Sequence, residues 1–307
     1  SILTIKDGKE FTNNGIFTNT NSGFIVNKGT FANDSYGIVT LNNVFTNDSI
    51  VTNKKEITIS QDTFFYNNKS ITNDSLIIQI GQLDNVHTNG IITNNKTIDL
   101  RVKAILNNYG TCTVSSTGIL KSLGKFNNTK TSASINATFD IHGNYFNNEL
   151  NGDSGVILNT GNCNVKTSGQ ITNSGLVDNK SIFENHSIVN STGVIQNHVG
   201  AIYNNYLTFN NNTSGLVDNR GMMTLFPNTV FSNYATVKND SHVICNGTMK
   251  QFKTGTFTNN NYYRLTKELR NYGSFYNNKT FIGQDSYIFE NYNLFNNDTR
   301  ACNHNAC

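Results

Sequence analysis

Tryptophan is absent from this 307-residue chain, and proline occurs once, at Pro227. With almost no proline, nearly every segment can donate its N–H groups to a hydrogen-bonded ladder. Charge is scarce too: Asp, Glu, Lys and Arg make up 14% of the residues and the net charge is +3. The five arginines form no basic stripe. A nucleic-acid partner would need clustered Lys and Arg against its phosphates, so that class is excluded. No run of 18 apolar residues occurs, so no membrane insertion by a helix is expected. Low charge also argues against a disordered polar tail, and the 20 Phe and 13 Tyr need a core to enter.

What abounds is Asn, with 56 residues. Asn27, Asn47, Asn67, Asn107, Asn127 and Asn147 lie on one grid of twenty residues, broken only at His87. Phe11, Phe31, Val51, Ile71 and Ile91 keep the same period. A fixed period near twenty marks a solenoid in which each repeat is one coil. The stretch from Ile171 to Asn210 shows its parts. It reads as short apolar strands, each closed by Asn, as in Ile-Phe-Glu-Asn185 and Val-Ile-Gln-Asn197. Three such beats make a coil. Asn tolerates the left-handed backbone that a sharp corner requires, and stacked Asn amides can bond coil to coil. The octapeptide from Ser174 to Ser181 returns, little changed, from Ser214 to Gly221, two coils further on.

The expected fold class is therefore all-β: a single-domain parallel β-helix, or β-solenoid. It has three short strands per coil of about 20 residues and roughly 15 coils. Uneven coils lean toward a right-handed helix, although the pattern leaves the hand open. A string of β-hairpins would need a turn pair at every second strand, and Asn14-Gly15, Asn89-Gly90, Asn151-Gly152 and Asn246-Gly247 do not recur so. Residues 1–10 are more charged and lack the Asn beat, so they are expected to form a cap or docking segment. Residues 11–300 form the repeat domain and 301–307 a Cys-containing tail. Tyr262 to Tyr272 interrupts the beat, with Leu265 and Leu269 four apart. It is expected to form a helical turn or loop and to be the site of lateral contact.

Cys112, Cys163 and Cys245 are too far apart on the grid to bridge and are expected to sit singly in the core. Cys302 and Cys307 are the disulfide candidates, within or between chains. With His304 they make three metal ligands without a fourth, so neither a metal nor a cofactor is expected. Sixteen Asn-X-Ser/Thr sequons occur, and Asn68, Asn95, Asn136, Asn179, Asn239 and Asn278 are the candidate glycosylation sites. Chance gives nearly as many in so Asn-rich a chain, and an inward Asn47 could carry no sugar. Asp34, Asp48, Asp74, Asp178 and Asp218 fall beside corner Asn residues, as turn residues do. Glu56, Glu184, Glu268 and Glu290 stand alone, and the six His have no partner at ligand spacing. No acid–base pair with a supporting Arg can be assembled, so no catalytic residue and no enzyme is expected. A flat Thr face that orders ice is also weighed. Thr12, Thr52 and Thr72 share a phase, but Ala32 and Ile92 interrupt it.

The beat in Phe11-Thr-Asn-Asn-Gly15, Ile71-Thr-Asn-Asp-Ser75 and Ile171-Thr-Asn-Ser-Gly175 resembles two groups of repeat proteins. One is the Asn-rich β-solenoid proteins of giant amoeba-infecting, mimivirus-like viruses. The other, a weaker resemblance, is the bacterial β-helix adhesins. The bias toward Asn, Lys, Ile, Phe and Tyr favours the viral group. That resemblance implies a structural component of a surface fibril, glycosylated and self-associating, on a virion or outside a cell. It would act as a scaffold for sugars or for attachment to a host-cell surface. A glycan-binding adhesin is the alternative, and a carbohydrate-active β-helix enzyme the second.

Overall fold

The computed structural model describes residues 1–307 apart from 21, 87–88, 129–137, 142–143, 148, 151–152, 155, 285–286 and 298–307. For 138–141, 144, 146–147, 149–150 and 153–154 it describes the backbone alone. The chain divides into two compact units, 1–163 and 164–307. Each is a parallel β-solenoid, and no helix occurs among the described residues.

In the first unit, the first sheet runs Ile2–Ile5, Phe24–Asn27, Phe45–Asn47, Phe64–Asn67, Gln82–Asn85, Ile105–Asn108, Lys125–Asn128 and Val156–Asn159. Neighbours in it pair in parallel, in register. The second sheet opens with Glu10–Asn13 and Thr30–Asn33, and the third with Ile16–Asn19 and Ile38–Leu41. Apart from Glu149–Leu150 and Asp153–Ser154, which pair antiparallel with each other, successive strands thus lie in successive sheets, and each pairs with the strand one coil on. The second unit repeats the scheme, its first sheet running from Leu176–Asn179 to Leu294–Asn297.

Two expected irregularities are regular. Ile2–Ile5 is itself a ladder strand on Phe24–Asn27, so the supposed cap supplies the first strand of a sheet. Tyr262–Leu265 and Glu268–Asn271 are ordinary strands, not a helical turn or loop. Leu265 and Leu269 are both inward, and their spacing of four spans a two-residue corner. The charges that seemed to break the beat, Arg264, Lys267, Glu268 and Arg270, all face outward.

A four-residue strand turns its second and fourth side chains inward, because successive Cβ atoms alternate between faces. The second residue is apolar: Ile25, Phe45, Phe65, Leu83, Leu106 and Phe126 descend the first sheet at 1% exposure or less. Each such burial stabilises by about 1.5–3 kcal/mol. Rings meet between coils, Phe45 and Phe65 at 4.6 Å between centroids. The fourth residue is most often Asn, which completes the corner from inside.

Most corners come in two lengths. Short ones have two residues. Long ones are turns of four, closed by a backbone bond such as Ala104 N–H to Arg101 O, 3.0 Å, or Ala201 N–H to His198 O, 3.0 Å. Left-handed backbone occurs only in long corners, at Gly8, Asp62, Lys103, Gly200, Ser214 and Asn228 among the described residues. No buried Asn among the described residues adopts it, so of the two reasons expected for Asn at the corners the backbone freedom is corrected and the bonding of side-chain amides from coil to coil stands. The single proline fits this geometry. In Phe226-Pro227-Asn228-Thr229, proline supplies the fixed φ and Asn228 the positive one, as a type II turn requires.

Several short corners that follow a long one tuck beneath it and carry Gly. A Cβ on Gly81 would strike the Ser60 and Thr63 carbonyl oxygens, and one on Gly124 those of Arg101 and Ala104. We therefore expect Gly81→Ala to lower stability by about 1–3 kcal/mol, the cost of forcing a methyl into packed backbone. The urea midpoint should fall, and an unchanged midpoint would refute this account of the corner.

Candidate functional surface

Inside each unit the corner amides form rows. Asn27 Nδ2 donates to Asn47 Oδ1 at 2.7 Å and to the Ile50 carbonyl at 2.8 Å, while its Oδ1 accepts from Gly29 N–H. The row continues from Asn47 to Asn67, Asn85, Asn108, Asn128 and Asn159. A second row links Asn13, Asn33, Asn53, Asn73 and Asn94. In the second unit a row runs through Asn179, Asn197, Asn219, Asn239, Asn259, Asn277 and Asn297. In all three rows each amide donates toward the next coil in the chain. Buried amides demand partners, and the stack supplies them.

The structure places Asn27, Asn47 and Asn67 in such a row, but Asn107 and Asn127 face outward. Asn108 and Asn128 take the inner places. The cause is unequal coils: Asn67 and Asn85 are 18 residues apart and Asn85 and Asn108 are 23, so a rigid grid lands one residue early. A one-residue slip reverses the face. Asn127 instead donates outside to Asn107, and Asn107 to Asp84, both at 2.7 Å. The side chain of Asn147 lies outside the described residues.

The glycosylation candidates divide by the same rule. Asn179 and Asn239 are fully buried row members and have no room for a sugar. Asn68 and Asn95 are half-buried and outward, donating to Asp48 and Asp74 at 2.7 Å. Asn278 is exposed and ends an outer row in which it donates to Asn260, and Asn260 to Asp240. These outer rows donate backward along the chain. Asn136, Cys302, His304 and Cys307 fall outside the described residues.

Asp240 anchors its row electrostatically. Hydrogen bonds from Lys238 and Asn260 hold its carboxyl below the usual value. A depressed carboxyl stabilises the fold above its unfolded value, and that contribution is lost as pH falls through the lower folded value. Lys238→Met should raise the Asp240 carboxyl titration followed by NMR. No upward movement would show that Lys238 is not the cause.

Two clusters escaped sequence reading: Glu268 and Glu290, expected to stand alone, share Arg270, whose Nε lies 2.6 Å from Glu268 Oε1 and 3.2 Å from Glu290 Oε2, and the other gathers around Asp178. His198 Nε2 lies 2.5 Å from Asp178 Oδ1, and Lys180 Nζ 3.3 Å from Asp178 Oδ2. Two coils on, Arg220 lies 2.8 Å from Asp218 Oδ2. Asp218 Oδ1 is buried without a hydrogen-bond partner among the described residues. The repeated octapeptide contained the signal, since it carries Asp-Asn-Lys and Asp-Asn-Arg at matching phase. Among the described residues no group of three or more His, Cys, Asp or Glu is arranged to hold a metal.

Cys112, Cys163 and Cys245 are all fully buried. Burial pushes the Cys245 thiol up to about 12, and its Sγ donates to the Gly247 carbonyl at 3.5 Å. A water-soluble disulfide reagent should label Cys245 only on unfolding, as peptide mapping would show. Labelling of the native chain would contradict this.

No protein-family description matches the chain, and no curated protein matches it. Among solved structures it is similar to the TibC-catalysed, hyper-glycosylated TibA fragment. The identity is 14%, the TM-score 0.28, and the match covers 94% of this chain and 97% of that one. A likeness at that score carries no argument about function.

Proposed function

We propose that this chain is a structural component of an extracellular or virion-surface fibre, a self-associating scaffold that carries sugars or attaches to a host-cell surface. The observation that supports this most is the set of buried Asn rows. The buried amides bond each coil to the next, which makes a stiff support and leaves the outer rows of Asn, Ser and Thr for display. Asn278 is the sugar acceptor best placed, because it is exposed and one N–H survives glycosylation to keep its bond to Asn260. The test is the intact mass of the native protein, with and without reduction. Added hexose or pentose steps, reduced in number by Asn278→Gln, support the reading, and a bare monomer of 34.0 kDa refutes it.

The second reading is a carbohydrate-active enzyme, favoured only by Asp178, His198, Asp218 and Arg220. Both carboxylates are already held by cations, which suits a structural role better. Cleavage of a polysaccharide panel, lost in Asp218→Asn, would establish the enzyme instead.

A further inference from the structure

Along one edge of the first sheet in the first unit, long and short corners alternate. The corner at 60–63 is long, that at 80–81 short, that at 101–104 long and that at 123–124 short. The short ones are drawn in by the Gly81 and Gly124 contacts described above, and the long ones stand proud. Two adjoining clefts of about 180 and 300 Å³ result. Gln61, Asp62, Phe64 and Gln82 line the smaller, Leu123 and Lys125 the larger, and Lys103 and Ile105 line both.

The backbone shows that the side chains here are kept at a cost. Gly8, Gly200 and Asn228 fill the left-handed place of other long corners with residues that accept it readily. Lys103, at φ 72°, does not, nor does Ser214, at φ 78°, whose hydroxyl bonds the Thr192 carbonyl, while Asp62, at φ 61°, accepts it at a smaller cost. Asp62 and Lys103 line the clefts. A strained residue retained where glycine would serve points to use of its side chain.

The lining indicates what is bound. Lys103 and Lys125 are exposed and make no ion pair among the described residues. Phe64 is 39% exposed, its ring parallel to that of Tyr66 with centroids 6.2 Å apart. The Gln61 amide, the Gln82 Oε1 (its Nε2 is held by Asp84 at 2.9 Å) and the carboxylate of Asp62 can exchange hydrogen bonds with hydroxyls. Ammonium groups beside an apolar ring and neutral amides suit a sugar ring that bears an acid group. We propose that these clefts bind an acidic saccharide, its carboxylate or sulfate against Lys103 and Lys125 and its C–H face on Phe64. This site is independent of the scaffold role.

The test titrates the full chain by calorimetry with an oligogalacturonate, a sulfated heparin oligosaccharide and a neutral cello-oligosaccharide. At least one acidic probe should bind at least tenfold more tightly than the neutral one, and more weakly as salt rises. Lys103→Gly is the decisive variant. It should raise the melting midpoint by releasing the left-handed strain, while weakening the acidic probe at least tenfold. Lys125→Met should weaken it as well, with the midpoint unchanged. Equal binding of acidic and neutral probes, no binding of any probe, or unchanged affinity in Lys103→Gly would each overturn the proposal. The sugar content of the chain itself plays no part in these outcomes, so they stand apart from the mass measurement.

Discussion

Asn53→Asp, the exchange of one NH2 group for one oxygen, is expected to unfold the first unit at neutral pH. Asn53 is fully buried. Its Nδ2 donates to Asn73 Oδ1 at 2.7 Å and to the Leu76 carbonyl at 2.8 Å, and its Oδ1 accepts from Asn33 at 2.8 Å. A carboxylate would set an acceptor against two acceptors. Each orphaned oxygen costs about 1–3 kcal/mol, before the larger penalty of burying a charge. The sign of the pH dependence follows. The folded state would raise the new carboxyl's pKa, so the defect should be greatest at neutral pH and ease in acid, once the carboxyl is protonated in the unfolded chain as well. Urea midpoints at two pH values check this. A variant as stable as the parent at pH 7 would show that the inner rows are dispensable. Asn53→Leu should be milder, because Leu41, Ile59 and Leu100 occupy the same strand position in the third sheet.

Phe275→Ala should cost about 3–5 kcal/mol, the range for deleting a buried ring. Phe275 is fully buried and meets four other rings: Phe257 at 4.8 Å, Phe295 at 5.4 Å, Tyr263 at 5.6 Å and Phe281 at 6.0 Å. The adjacent Tyr276 turns outward on the same strand. Tyr276→Ala is therefore the control and should change stability by no more than about 0.5 kcal/mol. Chemical denaturation of the two variants decides the matter, and equal losses would mean that the ring cluster has no special weight.

How far the sequence speaks can be judged from particular residues. Phe31, Val51 and Ile71 are inward as their period implies, whereas Ile91 of the same series is outward and Ile92 takes the inner place. Asn107 misled because the period is an average. Corners of unequal length restore the stack while shifting the numbering, and only the hydrogen-bond register shows by how much. Tyr262 to Tyr272 misled for another reason. Its outward positions happen to be charged, and outward positions are free to vary without disturbing the stack. The Asp178–His198 contact and the clefts beside Lys103 join residues one or more coils apart. Such meetings depend on corner lengths that no local pattern announces.

The direction of the inner amide rows has an electrical consequence. Every Asn in the rows described donates the same way, so the amide dipoles add along each stack instead of cancelling. Each bond polarises the next, strengthening it by about 10–30%. A row without a single formal charge therefore has a positive and a negative extremity, much as a helix does. The outer rows, such as Asn278 to Asn260 to Asp240, donate in the opposite sense and oppose that field. Cutting an inner row at its middle should accordingly weaken the surviving bonds on both sides, which makes Asn53 and Asn67 costlier places to interrupt than Asn13 or Asn27.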